Sequence, residues 1–148
     1  MKFDDRKIYV YFSIAVLVAG ILFGLPGIYS KMVTEPAIEK LLTQDADSQK
    51  LKQAYIILRN PHIFAGYDRF DEAGAGIEYI LKEFDNRVAE QKEFTTNDIL
   101  YLELLLQRRQ QGSDLSIKTM IYFVLLSVLG VIGLLIEKKT SKNYESNP

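Results

Sequence analysis

Two long apolar blocks, separated by a charged middle segment, dominate the pattern of hydrophobic and polar positions in this chain. The first block runs from Ile8 to Tyr29 and the second from Leu115 to Ile136, and both are nearly free of charge. A hydrocarbon core about 30 Å thick takes about 20 helical residues to cross. Each block has that length, so the pattern predicts two transmembrane helices. It divides the chain into a tail at 1–7, a transmembrane helix at 8–29, a middle domain at 30–114, a transmembrane helix at 115–136 and a tail at 137–148.

Each block has an alternative interpretation: the first as a cleavable secretory signal, the second as the core helix of a soluble protein. A signal has an apolar core of about 7–15 residues, followed by a small-residue cleavage site. The run from Ile8 to Leu25 is longer than that core, and no Ala-x-Ala pattern follows it. A chain of 148 residues also offers too little protein to surround the second block on all sides. We therefore expect an uncleaved anchor and a second membrane span.

Small residues recur within both apolar blocks. In the first block they form a small-xxx-small pair, and in the second they recur every three positions: Gly20, Gly24, Ser127, Gly130 and Gly133. Small side chains let two helix backbones approach closely in lipid. We expect these five residues to be transmembrane packing positions. Their partner is either the other span of the same chain or a helix of another subunit.

The two tails are basic, and two spans place both tails on the same side of the membrane. The tails carry the cations Lys2, Arg6, Lys7, Lys138, Lys139 and Lys142. Residues 31–116 hold eleven Lys and Arg against fifteen Asp and Glu, a net charge of −4. Cytoplasmic segments carry the excess of Lys and Arg, and long segments cross largely regardless of charge. We expect both termini in the cytoplasm and the middle domain outside, most simply at a bacterial inner membrane.

The middle segment has apolar residues at helical spacing and no persistent alternating pattern, which predicts an all-α fold. One apolar stripe consists of Ile77, Ile80, Leu81, Phe84 and Val88. Side chains that cap helix starts, and one glycine that ends a helix, mark the expected boundaries. The candidate start residues are Thr34, then Asp47 or Ser48, then Thr96 or Asn97, and the candidate end is Gly112.

The stretch from Leu100 to Leu106 contains five leucines. Successive residues on a helix are turned by about 100°, so five leucines in seven positions cannot all face one core. An apolar patch left in water favours association. We therefore predict a partner interface at Leu102, Leu104 and Leu106, covered by a partner protein or by a second copy of the chain.

Candidate chemistry is sparse. The chain has no Cys and a single histidine, His62, whereas metal and haem sites of the His and Cys type need further ligands. Residues 67–78 are rich in carboxylates, but Phe70 and Tyr79 stand where a calcium loop needs an oxygen ligand and its final Glu. The sequence therefore predicts no catalytic residue, no metal site and no cofactor, and it predicts that the chain is not an enzyme.

A net charge of −1 gives no indication of nucleic-acid binding. The sequence predicts a non-catalytic accessory or scaffold subunit in the lipid bilayer, bound to other membrane-protein subunits or to a second copy of itself. The alternative is a ligand-sensing ectodomain, because sensors share the order of span, outside helical domain and span. The twelve residues after Ile136 are too few for a signalling domain, so such a sensor would signal through a partner.

Overall fold

The computed structural model describes residues 5–43, 45–59 and 75–145, with side chains described at 7–43, 45–59 and 77–136. Every regular element in those ranges is helical, as the sequence predicts. The elements are α1 (Asp5–Tyr29), a π-helical turn (Ser30–Thr34, here the π turn), α2 (Glu35–Leu41), α3 (Ser48–Arg59), α4 (Ala75–Ala89), a 3₁₀ turn (Thr96–Asp98) and α5 (Ile99–Glu145).

Two helical stretches, Lys7–Leu41 and Thr96–Ile136, are long and apolar enough to cross a membrane. In their most apolar windows only 17% and 6% of the residues are buried within the chain. The core helix of a soluble protein is surrounded by protein and is mostly buried. These two stretches therefore leave most of their apolar surface uncovered by the rest of the described chain.

The described chain divides into two compact units, and α1 and α5 each contribute residues to both. One unit, here the helix pair, consists of the described residues up to Leu25 together with those from Ile117 onward. The other, here the helical domain, is Pro26–Ser116.

The helical domain has a continuous apolar core. Its buried hydrophobic residues are Ile38, Ala46, Leu51, Ala54, Tyr55, Leu58, Ile77, Leu81, Phe84, Phe94, Leu102, Leu105 and Leu106. The stripe predicted on α4 faces this core: three of its members are buried, and Ile80 and Val88 pack against the cluster. That prediction is confirmed. Tyr55, Phe84 and Phe94 form an aromatic group with ring centroids 5.1–6.0 Å apart.

Two predicted boundaries are wrong because a helix continues through them. Thr34 has helical dihedrals (φ −75°, ψ −48°) and its side chain makes no capping bond, since the preceding π turn already supplies helical backbone. Gly112 lies inside α5 and is buried. The buried face of α5 continues past it through Ser113 and Ser116, and this packing favours a continued helix over a left-handed end.

Aspartate side chains accept backbone hydrogen bonds at the starts of α3 and of the 3₁₀ turn. Asp47 accepts a hydrogen bond from the backbone N–H of Lys50 at 2.8 Å, which confirms the first of the two predicted candidates. Before α5, Thr95 is the cap, and neither Thr96 nor Asn97 takes that role. The Asp98 carboxylate accepts from the Thr95 N–H at 2.7 Å and from its hydroxyl at 3.1 Å, a reciprocal capping arrangement that needs a spacing of three.

The Asp98 carboxylate also accepts hydrogen bonds from Arg87 of α4. The Arg87 guanidinium donates to the two carboxylate oxygens at 3.0 and 2.9 Å, and to Glu83 at 3.0 Å. Partial burial lowers the pKa of Arg87, but the hydrogen bonds to Glu83 and Asp98 outweigh this effect and raise the pKa above its ordinary value. Both contacts to Asp98 come from one nitrogen, Nη1, and this charge-assisted contact joins the 3₁₀ turn before α5 to α4.

Candidate functional site: a buried arginine cluster and a glycine-packed helix pair

The helical domain buries a cation and an anion close to each other. Arg109 of α5 and Glu35 of α2 are each 5% exposed, and Ser30 of the π turn is fully buried. The Ser30 hydroxyl donates to Glu35 Oε1 at 3.2 Å, and Arg109 Nε donates to Ser30 Oγ at 3.1 Å. Buried charges are rare unless they are paired and hydrogen-bonded. These three residues, here the arginine cluster, meet that requirement through the shared hydroxyl.

Arg109 also reaches a third element. Its Nη1 donates to the backbone carbonyls of Ile57 at 3.4 Å and Leu58 at 3.5 Å, in the last turn of α3. The last four carbonyls of a helix have no partner within the helix, and that end carries partial negative charge. A guanidinium therefore suits this position, and it connects α5, the π turn and the end of α3.

The local sequence explains why a π turn forms at residues 30–34. Buried positions up to this point are three or four residues apart, as in Gly27 and Ser30, but the next ones are Glu35 and Ile38. A five-residue step in an α-helix turns the side chain by about 500°, which leaves it about 140° away from its starting face. A π turn accommodates one extra residue per turn. It thereby keeps Glu35 and Ile38 on the same face as Ser30.

The arginine cluster has the chemistry of a structural connector. The hydrogen bonds described above for its hydroxyl, carboxylate and guanidinium run to groups of the same domain. Among the described residues there is no group of three or more His, Cys, Asp or Glu that could hold a metal ion. His62 and the carboxylates at 68, 71 and 72, which the sequence singles out, lie outside the described residues.

The helix pair brings several of the predicted small residues into close contact with the opposite helix. A Cβ added at Gly20 would lie 2.7 Å from the Cβ of Phe123, and one added at Gly24 would overlap the side chain of Met120. Neither position has room for a larger residue unless its neighbour moves. The backbones approach closely here because glycine has no side chain.

A second contact of the helix pair combines small size with a hydrogen bond. The Ser127 hydroxyl donates to the backbone carbonyl of Ser13 at 2.9 Å, and both serines are buried. A Cβ added at Gly130 would overlap the Ser13 hydroxyl. In lipid such a hydrogen bond between helices contributes about 0.6–2 kcal/mol.

Gly133 differs from the other small residues. A Cβ added there would meet no atom within 4 Å, and the residue is exposed. Three residues turn a helix by about 300°, so each step of three falls about 60° short of a full turn. Two steps from Ser127 place Gly133 about 120° away from the face that contacts α1. Gly133 therefore does not pack within the described chain.

The predicted partner interface on α5 is wrong for two of its three residues. Leu102 is fully buried and Leu106 is 7% exposed, and both belong to the core of the helical domain. Leu104 is half-buried. The domain core is broad enough to cover Leu102, Leu105 and Leu106 together.

The exposed apolar side chains of this region are different ones. Leu100 is 73% exposed and Tyr101 is 49% exposed. Leu100 lies about 200° around the helix from Leu102, so it faces away from the core that Leu102 enters. Tyr101 lies at the edge of the core, with its ring centroid 6.5 Å from that of Phe84.

The arginine cluster and Ser13 were not anticipated from the sequence, although one signal was present. Arg109 stands four residues after Leu105 and three after Leu106, which places it on the core face of the same helix. The five-residue step from Ser30 to Glu35 indicates an insertion only once the buried faces on both sides of it are known.

No family model matches this chain, and no curated protein or solved structure matches it either. Its function must therefore be argued from the geometry of its own residues.

Proposed function

We propose that this chain is a non-catalytic integral-membrane scaffold or accessory subunit, which binds other membrane-protein subunits through its helical domain and its transmembrane helices. The observation that carries the proposal is a set of large apolar side chains on the surface of a domain whose described residues already form a continuous core. Leu100 of α5 is 73% exposed and Tyr79 of α4 is 70% exposed, with Tyr101 and Ile56 about half exposed.

The energetic case for a partner follows from these exposures. Burial of a leucine side chain contributes roughly 1.5–3 kcal/mol relative to water. Interfaces are enriched in tyrosine, which combines a large apolar area with a hydroxyl that can form hydrogen bonds. Tyr79 and Tyr101 therefore supply the type of residue that carries binding energy in protein–protein contacts, and Leu100 adds apolar area beside them.

The membrane part of the proposal rests on the helix pair. Its exposed apolar side chains include Leu22, Leu125, Leu129 and Leu135. In water this surface would favour aggregation, whereas lipid tails or neighbouring transmembrane helices would cover it without cost. The sparse burial of the two long apolar stretches supports membrane spans over core helices of a soluble protein.

The proposed orientation rests on charge. The basic tails belong in the cytoplasm and the helical domain on the outside, because the excess of Lys and Arg marks the cytoplasmic side. Two spans then enclose an extracytoplasmic helical domain, and a bacterial inner membrane is the simplest setting.

Isolation of the full chain from its native membrane in mild detergent tests the proposal. Partner subunits, or a second copy with a different tag, should co-purify in a fixed ratio. Leu100→Gln should reduce that recovery about tenfold if it removes about 1.4 kcal/mol of binding free energy. Glu103→Gln, one helical turn away and also exposed, is the matched control and should not reduce it.

Two results would contradict the scaffold proposal. One is a chain that purifies alone and monomeric. The other is recovery of partners that is unchanged in Leu100→Gln and in the corresponding Tyr79→Gln variant. A solitary chain that binds a small metabolite would favour the alternative, a sensor that signals through a partner.

A further inference from the structure

The π turn contains one residue more than packing requires. Glu35 donates its backbone N–H to the carbonyl of Ser30, a bond that spans five residues where an α-helix spans four. A helix with one residue fewer between Ser30 and Glu35 would have a four-residue step. It would still place Ser30, Glu35 and Ile38 on one face.

The three middle residues of the turn, at 31–33, are exposed and gain no packing from the insertion. Met32 is 74% exposed, and Val33 is 50% exposed. Lys31 forms an exposed ion pair with Asp114, and such pairs contribute little to stability. The core of the helical domain therefore gives no reason to keep the extra residue.

The arginine cluster holds the same five-residue interval together. The Ser30 hydroxyl and the Glu35 carboxylate bridge the turn side chain to side chain, parallel to the backbone bond between these residues. Arg109 then donates to that hydroxyl from α5. Because the Arg109 guanidinium is itself held by the carbonyls of Ile57 and Leu58, its position relative to the turn is fixed by α3.

We propose that the π turn is a stored one-residue insertion pinned by Arg109, and that this pin is a conformational device of the helical domain. While Arg109 is bound to Ser30, the extra residue stays at Ser30–Thr34. When Arg109 is withdrawn, the backbone exchanges five-residue for four-residue hydrogen bonds, and the extra residue moves along the helix. Each residue that it passes turns by about 100°.

If Arg109 pins the insertion, its removal should affect the turn only in a chain that contains the extra residue. The test is hydrogen exchange of the full chain in detergent micelles. It is read at the amides of 34–38, which are those of Thr34, Glu35, Ala37 and Ile38 because Pro36 has no N–H, and for reference at those of 80–84 in α4. Arg109→Gln should speed exchange at 34–38 by about tenfold more than at 80–84, because local opening is then cheaper than global opening. Arg108→Gln, at the neighbouring position, should have no such effect.

Deletion of Met32 gives a chain without the extra residue, in which the effect of Arg109→Gln can be measured again. It removes the extra residue and leaves the buried faces in phase, so the deleted chain should fold with unchanged helix content. In that background Arg109→Gln should no longer speed exchange at 34–38 relative to 80–84. Deletion of the exposed Leu22 in α1, which turns Gly20 away from Gly24, is the control and should disrupt the helix pair.

Three results would overturn the proposal. Exchange that rises equally at both sets of amides in Arg109→Gln means a purely structural arginine. An unchanged effect of Arg109→Gln in the Met32 deletion means that the pin does not act on the insertion. Damage from deleting Met32 equal to that from deleting Leu22 means that the turn is not an insertion. If Arg109→Gln fails to fold, Ser30→Ala takes its place, because it removes only the bridging hydroxyl. Exchange at 34–38 is then compared with exchange at 80–84 in the same way.

Discussion

In the helical domain the large apolar side chains lie mostly inside, whereas in the helix pair most of them lie outside. The domain encloses Tyr55, Phe84 and Leu102 in a continuous core. The helix pair exposes Leu22, Leu129 and other large side chains. Its inner contacts include glycines that lie against side chains of the opposite helix. The contrast is the one that the proposed membrane spans require, with the helix pair in lipid and the helical domain in water.

This difference in packing follows from the interactions that stabilise a fold in water and in lipid. In water, burial of apolar area drives folding. In lipid that force is absent between helices, so close packing of small residues and hydrogen bonds between helices hold them together. Gly24 against Met120 and Ser127 against Ser13 are contacts of the second type. The arginine cluster belongs to the helical domain, where backbone carbonyls and a carboxylate can accept its hydrogen bonds.

The largest expected contrast is in chemical labelling, which should be complete in one part of the chain and absent in another. A cysteine introduced at Gln49 in the helical domain should react with an impermeant thiol reagent in intact cells. Cysteines at Lys2 and Ser146 should stay unlabelled, because the basic tails are proposed to be cytoplasmic. The absence of native Cys makes every labelling event attributable to the introduced residue. Labelling of both tails with protection of Gln49 would reverse the proposed orientation.

The next effect concerns the core of the helical domain. Leu102→Ala should lower the free energy of unfolding by about 2–5 kcal/mol, because it leaves a cavity at a fully buried position. Leu100→Ala, two residues earlier but exposed, should change it by less than about 0.5 kcal/mol. Chemical denaturation of the full chain, followed by circular dichroism, measures both. Equal losses would mean that Leu100 is buried by another part of the protein or by a second copy.

A smaller effect is expected in the helix pair. Gly24→Leu should destabilise the pair by about 1–3 kcal/mol, because the new side chain must displace Met120. Gly133→Leu is a matched control, since its Cβ meets open space. Unfolding of the full chain by titration with a denaturing detergent reports the difference.

The Gly133 variant also sharpens the scaffold proposal. If a partner's helix covers Gly133, leucine there should reduce co-purification while leaving the stability of the chain alone unchanged. A loss of stability in Gly133→Leu as large as that in Gly24→Leu would contradict the described packing of the pair.

The sequence was sufficient where a single physical rule decides the structure. The period of the apolar positions identified the stripe of Ile77, Leu81 and Phe84, and the side chain of Asp47 identified the start of α3. The length of the two apolar blocks predicted helices able to cross a membrane. These features depend on residues close together in the chain.

The sequence was insufficient where tertiary contacts decide. Gly112 and Thr34 have the residue types that end and begin helices, but buried faces continue through both positions. Leu102 and Leu106 were assigned to an interface because five leucines seemed too many for one core. In the structure α3 and α4 together make that core broad enough to cover both residues. Arg109 could be placed on the core face by its spacing, but its partners on the π turn and on α3 could not be inferred from spacing.

The smallest expected effect tests whether a surface hydrogen bond in the helical domain also contributes to its stability. Asp47→Ala should cost about 1 kcal/mol, because it removes the acceptor for the Lys50 N–H at the start of α3. Asp45→Ala, two residues earlier and also exposed, is the control and should change stability by less than about 0.5 kcal/mol. Denaturant titration of the full chain resolves a difference of this size when both variants are compared with the parent.

Asp47→Asn separates the hydrogen bond from the charge. Asparagine caps helices about as well as aspartate, so it should restore most of the stability that alanine loses. The charge of Asp47 at the positive end of α3 contributes a further 0.3–1 kcal/mol at most, about as much as the helix dipole allows, and added salt screens this part. If Asn is as destabilising as Ala at low salt, and the difference from the parent disappears at high salt, the effect is electrostatic and the hydrogen bond to Lys50 is not what stabilises the helix start. If Asn matches the parent under both conditions, the capping bond to Lys50 accounts for the effect.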